Sequence, residues 1–132
     1  MTDGPFIGAS GPFPTPNPSV GVAVAVPELS SPTDGTPTSD GADDATVDTD
    51  VGNGTLYWAV VPDSGEATDA EIKGGGGDVI VNGSQDVEGT GTQTVAEITG
   101  LEAETAYEIL FLHTNSIGSD SAQAEVGLLT AA

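Results

Sequence analysis

Residues 98–118 read Ile-Thr-Gly-Leu-Glu-Ala-Glu-Thr-Ala-Tyr-Glu-Ile-Leu-Phe-Leu-His-Thr-Asn-Ser-Ile-Gly. Gly100-Leu101 closes one apolar run and turns the chain, and Tyr107 opens the longest strand signal in the sequence. Side chains alternate across an extended strand, so Tyr107, Ile109, Phe111 and His113 share one face. Leu110 and Leu112 share the other. Both faces are apolar, whereas a solvated sheet face carries polar residues. The second face therefore needs a cover, and the segment Glu66–Lys73 or another subunit would supply it. Asn115 and Gly118 punctuate the exit from the strand.

A Gly-Leu pair, a Tyr six residues after the Leu, alternating apolar residues, then Asn and Gly: this pattern resembles the fibronectin type III domain. Leu101, Tyr107, Ile109, Phe111, Asn115 and Gly118 carry the likeness. It departs at Ala103-Glu104, where Pro-Gly is usual, and at His113, where a small residue is usual. The resemblance implies an all-β, antiparallel, Ig-like/fibronectin type III-like sandwich of seven to eight strands. It also implies a tyrosine corner, with the Tyr107 ring beside Leu101 and its hydroxyl bonded to backbone near the turn.

Working outward, Thr55–Val61 alternates as well, with Leu56, Trp58 and Val60 on one face and Tyr57, Ala59 and Val61 on the other. Trp58 is the expected large core residue, although the usual fibronectin Trp lies one strand earlier. The expected core is Leu56, Trp58, Leu101, Tyr107, Ile109 and Phe111. Asn53-Gly54 is a strong turn signal. Weaker strand signals cover Val20–Val26, Thr46–Val51, Val79–Val81, Gln85–Glu88, Thr92–Ile98 and Ala122–Leu129. Residues 28–43 read as a loop with one short edge strand near Glu28–Ser31. Glu66–Lys73 has helical spacing, with Ala67, Ala70 and Ile72 inward, and four glycines follow at 74–77.

Residues 1–20 form a different region from the domain expected over 21–132. Pro5, Pro12, Pro14, Pro16 and Pro18 hold the backbone near polyproline geometry and remove donors. No core can form there, yet Gly-Pro-Phe occurs at 4–6 and again at 11–13. A solvating linker has no need of Phe6, Ile7 and Phe13. They read as contact points of an extended N-terminal arm that docks on a partner.

Charge restricts the partners. Of 132 residues, 21 are acidic and one, Lys73, is basic. Nucleic-acid binding needs Lys and Arg against phosphate, and an anionic membrane surface needs the same. Neither partner is expected. With no cysteine there is no disulfide framework and no thiolate metal site. A basic, apolar leader is not evident, nor is a run of about 20 apolar residues. The acidity suits a salty medium that screens self-repulsion, or docking on a basic surface. The high Gly and Pro content suits short strands and turns.

No motif carries catalysis. His113 is the sole histidine, and no Gly-x-Ser-x-Gly elbow accompanies it, so it reads as a hydrogen-bonded core residue. Gly74–Gly77 lacks the Lys-Ser/Thr of a phosphate loop and leads into Asp78. Asp48–Asn53 has the look of a calcium loop but meets Ala59 where a bidentate Glu belongs. No cofactor and no metal are expected.

Residues 53–58, 67–74 and 100–113 together resemble a domain found in bacteriophage virion proteins. That domain combines an Asn-Gly-Thr-Leu-Tyr-Trp-type strand, a short Ala-rich helix ending in Lys-Gly, and a Gly-Leu…Tyr strand bearing a His. The likeness implies a non-enzymatic virion structural protein present in many copies. It would be a capsid decoration (cement) or head-fibre protein, attached to the major capsid protein or another virion protein by its arm. The alternative it leaves open is a tail or fibre component whose loops bind a host-surface glycan or protein.

Overall fold

The structure is a computed structural model in which residues 25–132 are described. The expected arm, with Phe6, Ile7 and Phe13, lies outside the described residues, as does most of the expected strand Val20–Val26. In chain order the elements are β1 (Leu29–Thr33), β2 (Thr36–Thr38), β3 (Gly41–Asp43), β4 (Thr46–Thr49), β5 (Thr55–Pro62), α1 (Asp69–Gly74), β6 (Val81–Asp86), β7 (Gly91–Thr94), β8 (Ala106–Thr114) and β9 (Ala124–Leu129).

The long strand β8 lies between β5 and β9, and β6 extends the sheet to the order β9-β8-β5-β6. A three-stranded sheet, β1-β4-β7, faces it, and β2-β3 forms a separate ribbon. All pairings are antiparallel. The fold is an all-β antiparallel sandwich. Leu56, Trp58, Leu101, Tyr107, Ile109 and Phe111 are buried in one cluster between the sheets, joined by Val47, Ile98 and Leu128. Phe111 pairs directly with Trp58 across β8 and β5. The Tyr107 hydroxyl accepts a hydrogen bond from the Glu102 amide at 3.0 Å, which closes the expected corner beside Leu101.

The opposite face of the large sheet is covered by α1. Ile72, fully buried, packs with Ala59, Val61, Leu110 and Leu112 in a second cluster. Sealing Ile72 there contributes roughly 1.5–3 kcal/mol. The helix starts at a capping box: Thr68 accepts from the Glu71 amide, and the Glu71 carboxylate accepts from the Thr68 amide. Ala70, expected inward, is exposed. A helix of six residues turns too little surface toward the sheet for more than Ile72, and Ala67 packs from outside the helix.

Three further expectations are corrected. Val79–Val81 and Gln85–Glu88 are not two strands; one strand, Val81–Asp86, runs through Asn82-Gly83. Gly83 serves there because the Trp58 ring lies against it; a β-carbon at Gly83 would stand 2.6 Å from a ring carbon. Thr92–Ile98 is regular only to Thr94, and Ile98 instead bridges Ala42. Residues 28–43 hold three short strands instead of one. There the register of β1 against β4 shifts between Ser30 and Thr33, and Ser31 has φ 49°. Such an irregularity bends the edge strand.

Candidate functional site

Residues that chemistry or docking can use gather at the end of the sandwich where β8 finishes and where the described chain begins. Pro27 is fully buried there. Asn115 Nδ2 donates to the Ala25 carbonyl at 2.8 Å, and Asp50 Oδ1 accepts from the Glu28 amide at 2.8 Å. These two hydrogen bonds and the burial of Pro27 fix the path by which the chain joins the domain. The Asn115 Oδ1 also accepts from the Ile117 and Ser119 amides, so one side chain shapes the turn after β8 and holds the start of the domain.

Beneath this clamp lies His113, fully buried. Its Nε2 is 2.6 Å from the Asn53 carbonyl, which can only accept, so Nε2 carries the proton. Nδ1 then accepts from the Thr49 hydroxyl at 2.7 Å. A hydroxyl paired with an imidazole is also the arrangement of an activated nucleophile. Here both groups are buried and the far nitrogen faces a carbonyl, not a carboxylate. The pair ties β4 to β8 and orders the Asn53-Gly54 turn, whose Asn53 Oδ1 accepts from the Ser116 amide.

The lone cation is committed nearby. Lys73 Nζ meets Asp120 Oδ1 at 2.9 Å and stands 5.5 Å from the centre of the Tyr57 ring. Asp120 also accepts from the Thr114 hydroxyl at 2.6 Å. That hydrogen bond first, and Lys73 second, hold its carboxyl below the usual carboxylate range. Gln123 donates to Asp69 and to the Ala67 carbonyl. Together these contacts moor α1 to the loop between β8 and β9.

On the outer face of β8 the acids have no such relief. Burial first, and then Glu125, Asp63 and Glu66, push the Glu108 carboxyl above the usual range. A folded-state value above the unfolded one means that ionisation costs stability at neutral pH. The cost fades as pH falls through the folded value and is gone below the unfolded one. Glu108→Gln should therefore stabilise the protein at pH 7 by about 0.5 kcal/mol. The two proteins should melt together below about pH 4. Equal melting at pH 7 would show that Glu108 carries no excess repulsion.

The acids of the calcium-like stretch serve as local acceptors. Asp48 takes the Thr92 hydroxyl at 2.7 Å, and Asp50 takes the Glu28 amide. Among the described residues no three His, Cys, Asp or Glu side chains gather as metal ligands. At Gly74–Gly77, the Gly75 amide caps α1 on the Glu71 carbonyl, and Gly77 lies against the Glu71 carboxylate. Close packing applies to Gly77 alone, whereas positive φ at Gly75, Gly76 and Gly77 accounts for glycine at those positions. Sequence reasoning missed Pro27 and Asn115 as clamp residues. Pro27 reads as a strand stop and Asn115 as turn punctuation, and neither signal carries a long-range contact.

No protein-family model matches the chain, and no curated protein matches it.

Proposed function

We propose that the chain is a non-enzymatic structural protein of a bacteriophage virion, a decoration or head-fibre protein held to a coat protein by residues 1–20. The observation that supports this best is a separation of roles along the chain. Residues 4–27 contain no charged side chain, whereas every acid but Asp3 belongs to the part that follows. The uncharged part holds two of the three Phe residues and ends at a clamp built by Pro27, Asn115 and Asp50. An uncharged, proline-restrained segment loses little freedom and little hydration on docking. The acidic sandwich, with its own core, is suited to projecting into solvent.

A fibronectin type III-like identity for the sandwich accords with sheets of four and three strands and with the Tyr107 corner. Deleting residues 2–19 tests the anchoring. The shortened chain should keep the melting temperature of the full chain and should lose binding to phage heads that lack their own copy. Undiminished binding would place the docking surface elsewhere. A count of copies per particle by cryo-electron microscopy separates the head from the tail: many on the shell, or a few at a vertex or fibre.

A further inference from the structure

The chain holds two Asn-Gly pairs, Asn53-Gly54 and Asn82-Gly83. A glycine has no β-carbon to shield its amide nitrogen or to restrict its backbone. At such a pair that nitrogen can attack the side-chain amide before it, and the intrinsic chemistry is the same at both. The structure sets the two apart.

Asn82 is held against the reaction. It lies within β6, where Asn82 pairs with Ala59 and Gly83 with Trp58. A ring closed from the Gly83 nitrogen to the Asn82 side chain needs a ψ far from the extended range of a strand. The Asn82 Nδ2, which would have to leave, donates to the Ile72 carbonyl at 3.2 Å and to the Lys73 carbonyl at 3.3 Å. Ring closure there must break the sheet at β6 and release the end of α1.

Asn53 stands between β4 and β5, outside both strands. Its hydrogen bonds hold oxygens. Oδ1 accepts from the Ser116 amide at 2.8 Å, and the main-chain carbonyl accepts from His113 Nε2 at 2.6 Å. Among the described residues neither the Gly54 amide nor Asn53 Nδ2 donates a hydrogen bond. The attacking and the leaving nitrogen are both free, and the oxygen that gains charge during attack already faces a donor. Exposure alone would choose the other site, because Asn82 is exposed and Asn53 is half-buried.

We propose that Asn53 is a site of spontaneous modification in the folded protein, converting to aspartate and isoaspartate through a cyclic imide with Gly54, while Asn82 is protected. The Gly54 nitrogen gives its proton to hydroxide and bonds to Asn53 Cγ. The Cγ–Nδ2 bond then breaks, and the nitrogen takes a proton from water and leaves as ammonia. A second water opens the ring. Addition at Cγ restores the ordinary backbone and yields aspartate. Addition at the main-chain carbonyl carbon routes the chain through Cγ and leaves the former carbonyl as a carboxylate. The net change consumes one water and releases one ammonia, and nothing is oxidised.

The two products differ in what they keep. Aspartate still offers an oxygen to the Ser116 amide. Isoaspartate lengthens the β4–β5 connection and sets a charge where a neutral carbonyl met the fully buried His113, which is costly. This inference is independent of the anchoring reading.

The test ages the full chain at mildly alkaline pH, folded and in denaturant, and follows each site by peptide mass mapping after Glu-specific cleavage. In the folded chain Asn53 should convert about tenfold or more faster than Asn82. In denaturant the two rates should agree within about twofold, since both sites are Asn-Gly. Equal rates in the folded chain, faster conversion of Asn82, or a folded chain in which neither site reacts overturns the proposal. The isoaspartyl form, separated by anion exchange, should melt below Asn53→Asp, which carries the same charge on an ordinary backbone. Equal melting of the two would overturn the stated cost of a carboxylate against His113.

Discussion

Trp58→Ala should lower the unfolding free energy by about 3–5 kcal/mol in chemical denaturation, the range for truncating a large buried aromatic. The side chain sits in the main core, opposite Phe111 on β8 and against Gly83 on β6. Its removal leaves a cavity that Phe111 and Leu56, both fully buried, cannot fill without leaving their own contacts. The pairing with Gly83 gives a sharper version. Gly83→Ala alone forces a β-carbon into the indole ring and should cost about 1–3 kcal/mol. In the Trp58→Ala background that cost should largely vanish, because the ring is gone. A double-mutant cycle reads the difference as coupling. Additive effects would mean that the ring and Gly83 do not confine each other.

His113→Leu should cost about 3 kcal/mol. Leucine approximates the volume but leaves the Thr49 hydroxyl and the Asn53 carbonyl without partners, and an unsatisfied buried group costs about 1–3 kcal/mol. Adding Thr49→Val should recover part of the loss, because it removes one stranded hydroxyl. A loss below about 1 kcal/mol for His113→Leu would mean that water reaches both groups and that the imidazole is not the tie between β4 and β8.

The fold was legible where burial and periodicity coincide. Strands β5 and β8 are buried on both faces, yet each face is defined by a clean alternation. Leu56, Trp58 and Val60 assign themselves to one cluster, and Ala59 and Val61 to the other. The apolar pair Leu110 and Leu112 also announced a cover, and α1 provides it through Ile72. Edge elements were not legible in the same way. Strands β2 and β3 consist of Thr36-Pro37-Thr38 and Gly41-Ala42-Asp43, a composition that reads as loop. Their order comes from distant partners: Ala42 pairs with Ile98, and a β-carbon on Gly41 would overlap the Ile98 carbonyl oxygen. Asn82-Gly83 misled for a related reason. The gap between the two strand signals is bridged because the bulk of Trp58 favours glycine at position 83 within one continuous strand, a tertiary override of a local preference.

The candidate site was legible in part. His113 could be read as a bonded core residue because no nucleophile motif accompanies it. Its partners Thr49 and Asn53 lie 64 and 60 residues away, and no local rule names them. The clamp is similar: Asn115 and Ala25 are separated by 90 residues.

The directions of β1 and β9 have a mechanical consequence. Both strands run from the clamped end toward the far end, since Leu29 pairs with Thr49 near the clamp and Leu129 pairs with Ala106 opposite it. A pull applied between Pro27 and Leu129 therefore acts along the strands. The ladders of β1 on β4 and of β9 on β8 are loaded in shear, so their hydrogen bonds resist together and are not peeled one at a time. A tether at the clamped end and drag at the far end would strain the domain along this axis.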